Sequence, residues 1–154
     1  MGIRSVLEQF SIFTTGIFMS GYYVGYFIGS KTTPNLVQKV GHIRVFAAFA
    51  SLASLSALVA VAYVNPLMWT ISRFITGISL VSCYVVAESW LNDRATNKNR
   101  GQLLSAYMMV IYFGLAVGML LLNLSEPRAY EPFILVSVLL SLALVPILIH
   151  LCGL

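Results

Sequence analysis

The chain has 154 residues, of which 59% are hydrophobic and 9% are charged, and its formal net charge is +4. A mean hydropathy of +0.90 excludes an ordinary water-soluble domain of this size, because the surface of such a domain must be wetted. The positive charge does not indicate nucleic acid, since the basic residues fall between apolar segments and form no basic stripe with interleaved aromatics.

Several apolar windows are long enough to cross a bilayer, since about 20 residues at about 1.5 Å each cover a hydrocarbon core of roughly 30 Å. The predicted spans are 11–30, 45–64, 67–87, 103–124 and 132–152, behind a short external segment, 1–10. The predicted fold is therefore all-α, a polytopic membrane helix bundle. No span holds paired carboxylates or a His-metal constellation, so neither an enzyme nor a metal or other cofactor is expected.

The first span carries Gly21, Gly25 and Gly29 at intervals of four residues, which places all three on one helical face. Small residues on one face let a second backbone approach closely, as they do in many pairs of membrane helices. The face is predicted to be a helix packing seam. Whether the seam is a static contact or one that slides during a conformational cycle stays open from the sequence.

The Lys and Arg residues are unevenly shared among the loops. The two basic loops are 30–44, with Lys31, Lys39 and Arg44, and 88–101, with Arg94, Lys98 and Arg100. The turn 63–68 and the loop 124–132 have only Arg128 between them. Because basic loops stay cytoplasmic, the pattern predicts an external amino terminus and a cytoplasmic carboxyl end.

The third span contains Arg73, the one Lys or Arg inside a predicted span. A charge at that depth costs about 3 kcal/mol on insertion scales and normally faces a bundle interior or an aqueous cavity, which makes Arg73 a candidate for substrate or ion coupling. The alternative is that its long side chain snorkels to the outer interface. Gly77 lies one turn further on the same face and would let a helix or a ligand approach the guanidinium.

The fourth span has a second pair of small residues, Gly114 and Gly118, which is predicted to serve helix packing. His42 and His150 lie at predicted cytoplasmic ends, where a lone His is more often a polar anchor than a proton sensor. Neither His is therefore selected as a site.

Four stretches carry a family resemblance: "VGHIR" at 40–44, "RFITG" at 73–77, "ESWLNDRATNKNRG" at 88–101 and "FILVSVLLSLALVP" at 133–146. They resemble the major facilitator superfamily of secondary transporters, and within it the YcaD-like branch, along essentially the whole chain. The superfamily signature between helices 2 and 3, G-x-L-x-D-R-x-G-R-R, is similar at Leu36, Lys39, Gly41 and Arg44. Pro34 and Gln38 stand where Gly and Asp are usual.

The resemblance implies that Arg73 takes part in substrate binding or proton coupling. It also implies a cytoplasmic charge network that holds one conformation closed and is broken in the other. The residues of this gating network are Lys39, Gly41, Arg44, Glu88 and Arg100. The alternative is a merely solvated loop, because exposed ion pairs are often worth less than about 1 kcal/mol.

Matched to the superfamily, the first span is helix 2, because "GYYVGYFIGS" at 21–30 leads directly into the loop between helices 2 and 3. The spans then correspond to helices 2 to 6 of an amino-terminal half, without helix 1 and the carboxyl-terminal half. The implied function is a partial secondary transporter that moves a small solute across the bacterial cytoplasmic (inner) membrane by alternating access. This fragment is not expected to be active alone.

The expected partners are membrane lipid, a small-molecule substrate of unknown class, and the missing helix 1 and carboxyl-terminal half, with no nucleic acid. The alternative function is a small five-span membrane accessory or assembly protein. Such a protein would oligomerise through the face of Gly21, Gly25 and Gly29.

Overall fold

The computed structural model describes residues 10–124 and 134–142, and nearly all of them are helical. The helices in chain order are α1 (Ile12–Val40), α2 (His42–Ala62), α3 (Pro66–Arg94), α4 (Arg100–Leu124) and α5, residues 134–142. These two ranges contain no strand, so the prediction of an all-α bundle is confirmed. Most of the segment 1–10, most of the loop 124–132 and the end of the last predicted span lie outside the described residues.

α1 is longer than the sequence predicted. It begins after Ser11, whose hydroxyl accepts a backbone N–H of the first turn at 3.1 Å, and it continues for 29 residues to Val40. The polar stretch that predicted a loop over 30–44 stays helical because its hydroxyls bond within the helix. Thr33 Oγ1, for example, donates to the carbonyl oxygen of Gly29 at 2.7 Å. The loop prediction was therefore too long.

Gly41 is the entire connection between α1 and α2. Its φ of 93° and ψ of 156° lie where a residue with a side chain is strained, so glycine is the residue that can turn the chain here. α2 begins at the next residue, His42. The tight turn places Lys39 and Arg44 at the same end of the helix pair.

The connection between α2 and α3 falls within the stretch predicted as a turn at 63–68. Asn65 caps α3, because its side-chain oxygen accepts the N–H of Leu67 at 2.9 Å. Pro66 occupies the start of the helix, where the missing N–H is not needed. Cap and proline together define where α3 begins.

α3 is the central helix and packs along both α1 and α2. On the α1 side the hydroxyls of Thr33 and Ser82 lie 2.7 Å apart. On the α2 side Trp69 Nε1 donates to the carbonyl oxygen of Ala60 at 3.0 Å. Apolar burial contributes little between helices in lipid, so these hydrogen bonds and close backbone contacts hold the three helices together.

α4 and α5 are attached to this three-helix core in different ways. α5 packs on α2, where Ser54 Oγ and Ser137 Oγ lie 2.7 Å apart. α4 packs only weakly on α3, and its Met109 and Phe113 side chains are 66% and 73% exposed. Within the described part of the chain, α4 therefore has little packed against it.

Three helices of the described ranges are long and apolar enough to cross a membrane, namely His42–Ala62, Pro66–Arg94 and Arg100–Leu120. α1, which has 29 residues, is not one of these three helices, and Gly, Tyr, Ser and Thr interrupt its hydrophobic residues. With this composition and these helices, the protein is an integral membrane protein.

Candidate functional site

The glycines of α1 bring its backbone into direct contact with α3. Gly21, Gly25 and Gly29 all face α3, where an added Cβ would meet backbone atoms of that helix. At Gly25 the added Cβ would collide with the carbonyl group of Phe74. We call this contact the α1–α3 seam. Its close approach requires the small residues that the sequence places there.

Gly77 of α3 lies on the other side of the α1–α3 seam. A Cβ added there would collide with the carbonyl group of Tyr22, so α1, and not a ligand, fills the space beside Gly77. The contact fixes Tyr22 against the part of α3 that carries Arg73. Arg73 lies one turn before Gly77 on α3, so the Tyr22 backbone lies beside the turn that follows the guanidinium-bearing residue.

Arg73 carries a charge that no other described residue neutralises. Its Nε atom is buried and forms no hydrogen bond with any residue of 10–124 or 134–142. The carboxylates that the structure describes, Glu88 and Asp93, begin about four turns further along α3. A lone half-buried guanidinium inside a membrane helix is an unusual and costly arrangement.

A cavity of 430 Å³ lies between α3 and α4. Tyr84 lines it from α3, about three turns beyond Arg73 and therefore on the same face of the helix. α4 contributes Gly114 and Gly118, and a Cβ added at either glycine would have no described atom within 4 Å. The predicted packing at these two glycines is thus not formed with any described helix, and they line an open space instead.

The hydroxyl of Tyr107 on α4 is also buried, and it has no hydrogen-bond partner among the described residues. The described ranges contain no group of three His, Cys, Asp or Glu residues that could hold a metal ion.

The residues predicted as a gating network gather at one end of the bundle. Lys39, Arg44, Glu88 and Arg100 are exposed there, and Gly41 forms the turn beside them. In the part of the chain that the structure describes, no ion pair joins Glu88 to a basic residue. The network therefore stays a prediction for another conformation of the protein.

His42 forms the polar contact that closes this end of the bundle. Its Nε2 atom lies 3.0 Å from Ser89 Oγ and 3.4 Å from Asp93 Oδ2. The contact joins the first residue of α2 to the last turns of α3. Beneath it, Val37, Val45 and Val86 form a small buried cluster that joins all three helices of the core.

The sequence matches the profile of the Major Facilitator Superfamily over residues 3–151. The chain belongs to this superfamily. An uncharacterized MFS-type transporter of Yersinia pestis (strain Pestoides F) is 31% identical over 141 residues, which cover 92% of this chain and 37% of the relative. The uncharacterized MFS-type transporter YcaD of Escherichia coli O45:K1 (strain S88 / ExPEC) is 34% identical over 119 residues, which cover 75% of this chain and 30% of the relative.

This superfamily member therefore spans well under half of the length of the curated relatives that it matches. No solved structure matches it. The match runs through α1 to α5 and includes Arg73 and the turn at Gly41.

The sequence assigned Tyr22 and Tyr84 to interfacial or packing aromatics, of which those that point inward could line a substrate path. Tyr84 lines the cavity, and it shares the helical face of Arg73. The place of Tyr22 beside Gly77 depends on where α1 crosses α3, which the sequence does not show. His42 was predicted to be a polar anchor, and its partner Ser89 lies 47 residues away in the chain, beyond the reach of any local pattern.

Proposed function

We propose that the protein is part of a secondary transporter that moves a small solute across the bacterial cytoplasmic membrane by alternating access. In this proposal α1 to α5 are helices 2 to 6 of a six-helix half, and residues 1–154 are not active alone. Transporters of this kind bind substrate near the bilayer midplane and rock one half against the other. The bacterial MFS-type transporters that the chain resembles support this reading.

The observation that carries the proposal is the guanidinium of Arg73, which lies inside a span and whose Nε has no hydrogen-bond partner among the described residues. Lipid cannot solvate a guanidinium, so a charged residue inside a span faces a bundle interior or an aqueous cavity. Tyr84, about three turns further along the same face of α3, borders the 430 Å³ cavity beside the weakly packed α4. Further helices, with water between two halves, would complete this face as a central binding site.

We assign Lys39, Gly41, Arg44, Glu88 and Arg100 to gating at the cytoplasmic end. The charged members lie on different helices and are exposed, so they can pair in one conformation and separate in another. Their unpaired arrangement among the described residues fits a conformation in which the network is open. The contact of His42 with Asp93 meanwhile holds α2 against α3.

The competing function, a five-span accessory or assembly protein, has less support. It would oligomerise through the face of Gly21, Gly25 and Gly29, and α3 of the same chain already fills this face. A second copy could use the face only by displacing α3.

Solute flux tests the proposal. The product of the complete reading frame and the chain of residues 1–154 are each reconstituted in vesicles with imposed proton and solute gradients. Uptake is then measured for labelled sugars, amino acids, organic anions and phosphate. We expect saturable uptake of at least one solute by the complete product and none by residues 1–154. Absence of uptake by both, with a defined homo-oligomer of residues 1–154, would contradict the proposal and support the accessory function.

A further inference from the structure

We propose that the solute is an anion, and that Arg73 binds its carboxylate or phosphate group with the Tyr22 hydroxyl as a second donor. The inference rests on the proposed transport function and names the chemical class of its substrate.

The charge balance of the site favours an anion. Within residues 10–124 and 134–142, Arg73 has no carboxylate near it, because Glu88 and Asp93 lie near the far end of α3. An uncompensated cation inside a membrane bundle is unfavourable, and a bound anion would remove that penalty. A cationic solute would add to it and would find no carboxylate among the described groups of the site.

The donor geometry also fits an oxyanion. A guanidinium presents N–H donors in a planar fork that matches a carboxylate or a phosphate with two parallel hydrogen bonds. The Nε of Arg73 is buried and forms no hydrogen bond with a described residue, and Arg73 as a whole is half-buried. Tyr22 is the second donor of the proposal because its backbone lies against Gly77, one turn from Arg73.

The alternative role for Arg73 is that of a proton carrier. Arginine is not deprotonated in proteins, so Arg73 acts through a fixed charge and cannot itself pass a proton along. Proton coupling, if the transporter has it, would therefore use other groups. A tyrosine hydroxyl such as that of Tyr22 is a neutral donor, which adds a hydrogen bond to an anion without adding a competing negative charge.

The experiment measures binding of matched anions and neutral amides. The complete product is placed in phosphatidylcholine nanodiscs, and its Tm is followed against benzoate and benzamide, acetate and acetamide, and inorganic phosphate, at constant ionic strength. We expect at least one anion to raise the Tm and its amide to leave the Tm unchanged. Absence of a shift with every anion, or equal shifts with the amides, would overturn the inference.

Variants of Arg73 and Tyr22 test whether the rise in Tm comes from an anion bound at this site. Arg73→Gln should weaken the apparent affinity about tenfold to a hundredfold, because a charge-assisted hydrogen bond is lost. Arg73→Lys keeps the charge without the fork and should fall between Gln and Arg. Tyr22→Phe should weaken binding about threefold to tenfold. Lys31→Gln, which removes an exposed charge of α1 outside the site, should leave binding unchanged.

Removal of the unpaired Arg73 charge should not unfold the protein, and helical content with the ligand-free Tm of each variant checks this. If Arg73→Gln does not fold, Arg73→Lys and Tyr22→Phe still decide the question. Full retention of the anion shift in a folded Arg73 variant would overturn the inference. A shift that appears only with phosphatidylglycerol in the nanodisc, and disappears in Arg73→Gln, would also overturn it, because the anion would then be a lipid headgroup.

Flux separates this inference from the proposed function. Uptake of a neutral solute that persists in Arg73→Gln would overturn the anion assignment and leave the transport function standing. Anion binding at Arg73 without flux of any solute would support the anion assignment and contradict the transport function. Uptake of an anion that is lost in Arg73→Gln and retained in Lys31→Gln is the result that both predict.

Discussion

Two glycine faces with the same spacing have opposite surroundings in this protein. Gly21 and Gly25 of α1 lie against the backbone of α3, whereas Gly114 and Gly118 of α4 border a cavity. A spacing of four residues therefore predicts a face of small residues but does not tell whether a helix or an open space lies against it. The contrast divides the described part of the molecule into a tightly packed core and a helix with little packed against it.

The largest expected effect is the loss of the α1–α3 seam. Gly25→Ala and Gly77→Ala should each lower the free energy of unfolding by about 1–3 kcal/mol, because the added methyl collides with a carbonyl group of the facing helix. Thermal unfolding of the purified protein in nanodiscs measures this difference.

Gly16 and Gly114 provide the matched controls. Neither has a described atom within 4 Å of an added Cβ, so Gly16→Ala on α1 and Gly114→Ala on α4 should leave the Tm unchanged or slightly raised. Equal losses at Gly25 and Gly16 would contradict the packed seam. A large loss at Gly114 would instead show that a helix outside the described residues packs against α4.

Trp69 should have the next largest effect. Its Nε1–H caps the Ala60 carbonyl, in the last turn of α2, and its ring packs edge-to-face on Phe18 with centroids 5.6 Å apart. Trp69→Phe should cost about 1–2 kcal/mol, because it removes this donor and part of the buried ring. Trp90→Phe is the control, since Trp90 is largely exposed. Similar losses for both variants would argue against the buried position of Trp69.

Much of the fold was readable from the sequence, but the site was only partly so. Long apolar windows predicted the helices because backbone groups in lipid must be satisfied within a helix. The continuation of α1 through Thr33 was missed, since polar residues suggested a loop while their hydroxyls bond inside the helix. Arg73 was selected as a candidate because a charge within a span is rare, and its role stays a prediction. Its neighbour Tyr22 depends on how two helices cross, which no local pattern records.

A smaller effect is expected at the hydroxyl contacts of the core. Ser72 Oγ donates to the Ser56 carbonyl oxygen at 2.6 Å between α3 and α2. Ser72→Ala should cost about 0.6 kcal/mol, the average for such bonds between membrane helices. Ser51→Ala is the control, because the Ser51 hydroxyl bonds only within α2 and is exposed. A loss of stability above about 2 kcal/mol in Ser72→Ala would contradict this estimate, because the bond would then contribute more than hydrogen bonds between membrane helices do on average.

The smallest expected effect concerns the balance between conformations that the gating network is proposed to control. If Glu88 pairs with Arg44 or Arg100 in the closed conformation, Glu88→Gln should shift the balance towards inward-open forms by less than about 1 kcal/mol. Labelling of a single cytoplasmic cysteine measures the shift, with Lys98→Gln as the control outside the network. Unchanged cytoplasmic accessibility would remove Glu88 from the gating network.

Accessibility at Tyr84 tests the transport proposal most directly. In the complete product, with Cys83→Ser and Cys152→Ser, a Tyr84→Cys variant is treated with a membrane-impermeant thiol reagent from each side of the membrane. Because Tyr84 lines the cavity on the Arg73 face, we predict labelling from both sides and a shift in their ratio when an anionic solute is added. Labelling from one side only, or from neither, would contradict alternating access at this site.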